Sequence, residues 1–391
     1  MSKIVFFLFL DVLAFSGVLV STLPFLVSDL GGNILMITII FASFSFFQFF
    51  SSPIWGSLSD RFGRKPLIIL NCVAEIIANF ILAISTNLTT VFISRLIAGI
   101  FKSNVSVGTA YIADITTEKN RAKGMGMFGM AFGLGFTIGP MLGGLIAGSN
   151  YTFESLSNVA WIAFFINIIN LIFVIFFLKE PKKIQGRIHS KIFDKFSNQL
   201  TFLFERKLSI FFLIIFIIYF GFTGMEGIFA IWINETFNWG PQEVGLIMLY
   251  AGICQIVVQG FILRYLLNFF NEVQLIKSGF IFLITGFLLI STNQFYILLI
   301  AVAFLCYGIG VSNPCLNSIV SKNCNKNKKG LALGAAYSAQ SIARFTGQPF
   351  AGLLFLYFSK DMPFITNAFI LGGFSLIYFL FLKKTLNKAF R

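Results

Sequence analysis

The chain divides into about twelve predominantly apolar runs, each close to the length that crosses a bilayer, and that division restricts the fold more than any other feature. A spanning α-helix needs about 20 such residues. The runs fall near 4–28, 34–57, 67–86, 90–113, 122–148, 157–178, 208–233, 241–263, 273–291, 295–320, 329–357 and 363–382. In lipid each backbone polar group needs an internal partner, so runs of this length are read as helices. Only 11% of the residues are charged, against roughly 25% in soluble chains, too few for a water-facing surface. The expected fold class is therefore an all-α membrane protein with 12 transmembrane helices.

The net charge of +14 does not point to nucleic acid once its distribution is considered. With the N-terminus in the cytoplasm and sides alternating, the cytoplasmic segments hold 25 of the 29 Lys and Arg residues. Lys360 is left on the far side, and Arg95, Lys102 and Arg344 fall within runs away from their ends. An excess of Lys and Arg in cytoplasmic loops is the positive-inside signal, so both termini are expected in the cytoplasm of a multi-pass protein of a bacterial inner (cell) membrane. The first run contains Asp11, is long and lacks a clear small-x-small cleavage site, so it is not read as a removed signal. Cys72, Cys254, Cys306, Cys315 and Cys324 show no CxxC or ligand spacing. No nucleophile–His pair, phosphate loop or metal cluster is recognisable either. An enzyme, a cofactor and a metal site are not expected.

The longest polar interruption, 180–207, is basic, holds the single histidine His189, and has the mixed polarity of an interfacial amphipathic helix. It divides the chain into bundles 1–179 and 208–391. The halves echo each other. A shift of 204 residues carries 34–57 onto 238–261 and Gly56 onto Gly260.

Between Gly56 and Pro66 the chain reads Gly-Ser-Leu-Ser-Asp-Arg-Phe-Gly-Arg-Lys-Pro, a charged hairpin linking two runs. Gly56 and Gly63 permit close packing and a sharp turn, and Pro66 suits a helix start. With its flanks the segment resembles the loop between helices 2 and 3 of major facilitator superfamily transporters. That resemblance implies two pseudo-symmetric six-helix bundles with a substrate site between them near the midplane. It further implies that Asp60, Arg64 and Asp114, the last at the end of the fourth run, form a cluster that latches the outward-facing state and breaks as the halves rock. The shifted copy, Arg264–Asn271, has lost the Gly-Arg-Lys element, which makes the expected gate asymmetric.

The fifth run carries Gly135-Phe-Thr-Ile-Gly139-Pro140-Met-Leu-Gly143-Gly144. Small residues let helices approach, and Pro140 removes a backbone donor and bends the helix. The element is similar to one found in the superfamily's drug–proton antiporters, which implies export. Arg95-Leu-Ile-Ala-Gly99 resembles an element proposed to assist proton transfer in that group. Asp11 and Glu75 match positions where tetracycline exporters carry acids. The span 273–291 lacks the further acid those exporters have and contains only Lys277, a departure that argues against tetracycline itself.

Away from the ends of the runs, six charges stand out: Asp11, Glu75, Arg95, Lys102, Glu226 and Arg344. A central charge costs roughly 2.5–3.5 kcal/mol, so charges there are read as paired or functional. Asn71, Glu75 and Asn79 share one face, as do Tyr219, Thr223 and Glu226. Gln340, Arg344 and Gln348 share another, with Gln255 and Gln259 and with Asn313 and Asn317 on two further runs. These polar faces suit a central cavity. The expectation is a monomeric secondary transporter, coupled to protons through Asp11, Glu75, Glu226 and Arg95, that exports a small amphipathic compound or drug. Lys102, Arg344, Gln255, Gln259, Asn313, Asn317, Gln340 and Tyr219 are expected to contact substrate. Gly56, Asp60, Arg61, Gly63, Arg64, Asp114, Gly139 and Pro140 are expected to serve the gates. Uptake or export of an organic anion, metabolite or siderophore is the alternative, and a non-transporting membrane sensor is the second. The expected partners are the small-molecule substrate, protons and the lipid bilayer, with no nucleic acid.

Overall fold

A computed structural model describes residues 1–102, 104–181, 201–205, 208–324 and 329–389. Most of the 180–207 linker, His189 and its expected interfacial helix included, lies outside the described residues. The described chain is helical: α1 Ser2–Ser21, α2 Leu23–Asp29, α3 Ile34–Phe62, α4 Arg64–Ala83, α5 Leu88–Phe101, α6 Asn104–Ile115, α7 Glu118–Ala147 and α8 Phe153–Phe177. After the linker come α9 Ser209–Phe237, α10 Pro241–Val257, α11 Glu272–Ile290, α12 Phe295–Lys322, α13 Lys329–Tyr357 and α14 Met362–Ala389. Among the described residues, nine helices are long and apolar enough to cross a membrane.

Local chemistry sets many of the ends. The Asn33 and Asn87 side chains accept from Met36 N (2.9 Å) and Thr90 N (3.0 Å), satisfying donors that a helix start leaves open. Reciprocal capping boxes open α8 (Thr152 with Ser155) and α11 (Asn271 with Gln274). Three runs differ from the expected continuous helices. The first breaks at Thr22, just before Pro24 opens α2. The fourth breaks at Lys102, whose ψ of 93° leaves the helix. The eighth passes from α10 through a π turn, Val258–Ile262, into Leu263–Leu266, a local widening often seen at working sites.

The two halves repeat the same close crossing. In the first, α1 meets α7 so tightly that a Cβ on Gly139 would lie 2.7 Å from Leu13 O. In the second, α9 meets α13, and a Cβ on Gly347 would lie 3.1 Å from the Phe220 carbonyl carbon. Gly139 to Gly347 is a step of 208 residues, and Leu13 to Phe220 a step of 207, so the internal repeat persists in backbone contacts.

Between the halves, α7 packs on α10 and α3 on α13. A Cβ on Gly245 would meet Pro140 O at 2.5 Å, and one on Gly144 would lie 3.1 Å from the Pro241 carbonyl carbon. Nearer the middle, Phe345 stacks edge-on against Phe46 at 5.5 Å. Then the seam opens. Gly126, Gly129 and Gly133, turns below Thr137 on the same face of α7, have nothing within 4 Å of an added Cβ, and neither does Gly260. The halves are thus closed at the Ser149–Gly240 end and splayed at the end carrying the basic links.

Candidate functional site

The break at Lys102 has a visible consequence. Its ammonium lies 3.0 Å from Asp11 Oδ2 and 2.8 Å from Glu75 Oε1. Asn71 Nδ2 donates to Asp11 Oδ1 at 3.2 Å, and the Phe15 ring lies 4.7 Å from the ammonium. Asp11, Asn71, Glu75 and Lys102 are all at most 4% exposed. The group joins α1, α4 and the end of α5, and with one cation between two carboxylates it carries a formal charge of −1. Lys102, expected as a substrate contact, is brought to the two acids expected to carry protons. Asn71, Glu75 and Asn79 do not line an open cavity; they are buried in the helix packing, because each meets a polar group on a neighbouring helix.

A turn from Glu75 along α4, Asn79 Oδ1 accepts from Arg95 Nη2 at 3.2 Å. Arg95 Nε and Nη2 donate to Ser94 Oγ, which donates to Ala78 O at 2.7 Å. Arg95 is fully buried, and its Nη1 has no hydrogen-bond partner.

In the second half the polar residues assemble less tightly. Tyr219 is buried among Arg344, Tyr337, Asn313 and Glu226. Glu226 and Arg344 are partly exposed electrostatic neighbours, and Arg344 Nε has no partner. Asn317 Nδ2 donates to Asn313 Oδ1 at 3.1 Å. Gln255 packs against Gly310 of α12, whereas Gln259 sits exposed in the π turn. Gln340 and Gln348 are buried on α13, and Gln348 Oε1 has no partner.

At the splayed end, Arg64 Nε donates to Asp114 Oδ2 (2.9 Å) and Nη2 to Asp60 Oδ1 (2.5 Å), while Nη1 bonds Ser59 Oγ. Gly63, at φ +105°, turns the chain between α3 and α4. Arg61 lies exposed with its guanidinium 5.4 Å from the Phe62 ring, and Gly56 faces Ser106 Cβ. Glu180, unexpected from sequence, completes the cluster. Its two oxygens accept from Arg64 N (2.6 Å) and Lys65 N (2.7 Å), the first donors of α4, so a linker carboxylate caps a gate helix. Tyr111 Oη donates to Lys179 O at 2.5 Å alongside it. The pairs made by Arg64 are intact although the halves are splayed here, because its carboxylate partners all come from α3 and α6.

Among the described residues, no group of three or more His, Cys, Asp or Glu side chains could hold a metal ion. The sequence profile of the Major Facilitator Superfamily matches residues 4–226 and again 211–391. The chain belongs to the Major Facilitator Superfamily. It is 30% identical over 343 residues to multidrug resistance protein 2 of Bacillus subtilis (strain 168), covering 84% of this chain and 82% of that protein. Tetracycline resistance protein, class H, of Pasteurella multocida is 26% identical over 351 residues, with 87% and 85% covered. The crystal structure of the human organic anion transporter MFSD10 (TETRAN) superposes with a TM-score of 0.71 at 26% identity, covering 95% of this chain and 96% of that one. This superfamily member is thus a multi-pass membrane transporter with drug-resistance relatives. Its family and structural neighbours are transporters rather than enzymes.

Proposed function

We propose that this chain is a proton-coupled exporter of small amphipathic compounds, working by alternating access between bundles 1–179 and 208–391 as a monomer. The carrying observation is the buried Asp11–Lys102–Glu75 group. Two acids around one cation leave one negative charge in a low-dielectric site, and one bound proton neutralises it. Asp11 or Glu75 is the proton carrier, Lys102 is the cation bonded to both, and Arg95 offers Glu75 a second cation. Neutralisation biases the two orientations of the bundles. One proton crossing about 100 mV supplies roughly 2.3 kcal/mol, which sustains about a fifty-fold gradient of a neutral compound.

The positive-inside distribution of Lys and Arg supports a cytoplasmic location, in a bacterial inner membrane, for both termini and for the splayed end. The described arrangement is then inward-open, with the Gly144–Gly245 seam as the closed outer gate and Arg64 in the inner one. Ethidium offered to energised everted vesicles tests direction and coupling together. Uptake of the dye with proton release from the lumen is the expected result, and dye movement indifferent to the proton gradient refutes it.

A second reading, transport of an organic anion, is favoured by Arg344, whose Nε has no partner beside the Tyr219–Asn313 face. The similarity to the human organic anion transporter supports it as well. A carboxylate held by Arg344 in the second half is compatible with proton coupling in the first.

A further inference from the structure

One turn of α13 separates two orphaned polar atoms of opposite kind. Arg344 Nε is a donor without a partner, and Gln348 Oε1 is an acceptor without one. Nearly all buried polar atoms are hydrogen-bonded, so an orphan calls for a reason. Residues four apart on a helix share a face, here about 6 Å from each other along the axis. The same turn is short of a further donor, because Pro349 lies inside α13 and has no N–H to give Phe345 O.

The two residues differ in depth. α13 runs from Lys329 at the splayed end to Tyr357 at the closed end, so Gln348 lies one turn deeper than Arg344. Arg344 is partly exposed, whereas Gln348 is only 4% exposed. A Cβ on Gly227 of α9 would lie 3.3 Å from Gln348 Cγ and 3.6 Å from Thr38 Cγ2 of α3. One turn further along α13, a Cβ on Gly352 would lie 3.1 Å from Thr38 Cβ. Gln348 therefore stands where both halves meet, at the closed edge of the space that opens toward the splayed end. The terminal torsion of a glutamine is broad, so Oε1 can turn toward a donor arriving beside Arg344.

We propose that Gln348 is a specificity-determining residue of the cargo site, accepting a hydrogen bond from an organic anion held by Arg344. The proposal rests on the organic-anion reading and narrows it to anions that carry a donor. The anionic group goes to the guanidinium, and an O–H or N–H one helical turn away goes to Gln348 Oε1. A benzene ring with its acid group and its donor in para positions has a matching span. An anion of the same shape with a methyl group in place of the hydroxyl leaves Oε1 orphaned. A placed hydrogen-bonding group rejects an analogue that lacks its partner in this way.

4-Hydroxybenzenesulfonate and 4-methylbenzenesulfonate provide the test, since they differ only in that group and both stay charged. Their exchange is measured in proteoliposomes for the wild type, Gln348→Met and Gln348→Leu, each first shown to be folded by its melting in detergent. Methionine keeps the side-chain length but replaces the carbonyl acceptor with a weakly accepting thioether, and leucine has no acceptor. In the wild type the KM for the hydroxy compound should be about three- to tenfold below that for the methyl compound. Either variant should bring the two KM values together, chiefly by raising the first. A glutamine with only a structural role would shift both compounds alike. Equal KM values in the wild type, or an unchanged preference in a folded variant, would overturn the role of Gln348 and leave anion transport standing. Exchange of ethidium by the wild type without exchange of either sulfonate would overturn the anion reading, and this proposal with it.

Discussion

The ammonium of Lys102 lies 2.8 Å from Glu75 Oε1, with both side chains buried at the point where α5 stops being a helix. A helix continuing through Lys102 would keep the backbone on its α5 course. The break brings Lys102 from the end of α5 to both Glu75 and Asp11, and the backbone cost is offset by pairing a cation that would otherwise be isolated in the membrane. The bent backbone and the buried pair are parts of one arrangement.

Removing the cation alone should be harmful. Lys102→Ala leaves two buried acids without their partner, a loss of about 3–5 kcal/mol for a buried pair. The purified variant is expected to melt several degrees below the wild type in detergent. Adding Asp11→Asn and Glu75→Gln should recover most of that loss, because no charge is then stranded. Equal melting temperatures for the wild type and Lys102→Ala would show that the pairing does not hold the fold.

Glu180→Ala should loosen the start of α4 without touching any intramembrane charge. Loss of a helix cap costs about 0.5–2 kcal/mol, so global folding survives. Hydrogen exchange at the amides of Arg64 and Lys65 should rise on the order of tenfold in the variant, and Glu180→Gln should fall between the two. Unchanged protection would mean that the linker carboxylate does not restrain the gate.

Gly245→Val addresses the opposite end. The added Cβ would stand 2.5 Å from Pro140 O, so the tight α7–α10 contact cannot form. Cysteines at Ser149 and Gln242, joined in the wild-type background by a short bifunctional crosslinker, should react several-fold more slowly in this variant. Crosslinking at the wild-type rate would show that the glycine seam does not set closure.

Arg344→Gln separates the two readings of cargo. If anionic compounds bind through the Arg344 guanidinium, whose Nε has no partner, their KM should rise about tenfold or more, in line with loss of a charged hydrogen bond, while ethidium transport changes little. A uniform loss for cationic and anionic compounds would instead make Arg344 a structural group.

Much of the architecture was legible in sequence because hydrophobic length and loop charge are strong, additive signals. The helix starts after residue 208 lie within one residue of the starts of the apolar runs. Side-chain periodicity served less well at Lys102. Reading 90–113 as one run presumes an unbroken helix, and the ion pairing that breaks it at Lys102 is a tertiary fact. Glu180 was hidden for a similar reason, since a linker carboxylate 116 residues from Arg64 N leaves no local pattern.

The central claim is that a proton on the Asp11–Lys102–Glu75 group drives exchange between the two orientations. Reconstituted wild-type protein and Glu75→Gln should be compared for ethidium exchange at equilibrium and for ethidium accumulation under an imposed pH gradient. The account predicts that Glu75→Gln retains exchange, now independent of pH, and loses gradient-driven accumulation. Accumulation at the wild-type level in Glu75→Gln would contradict it.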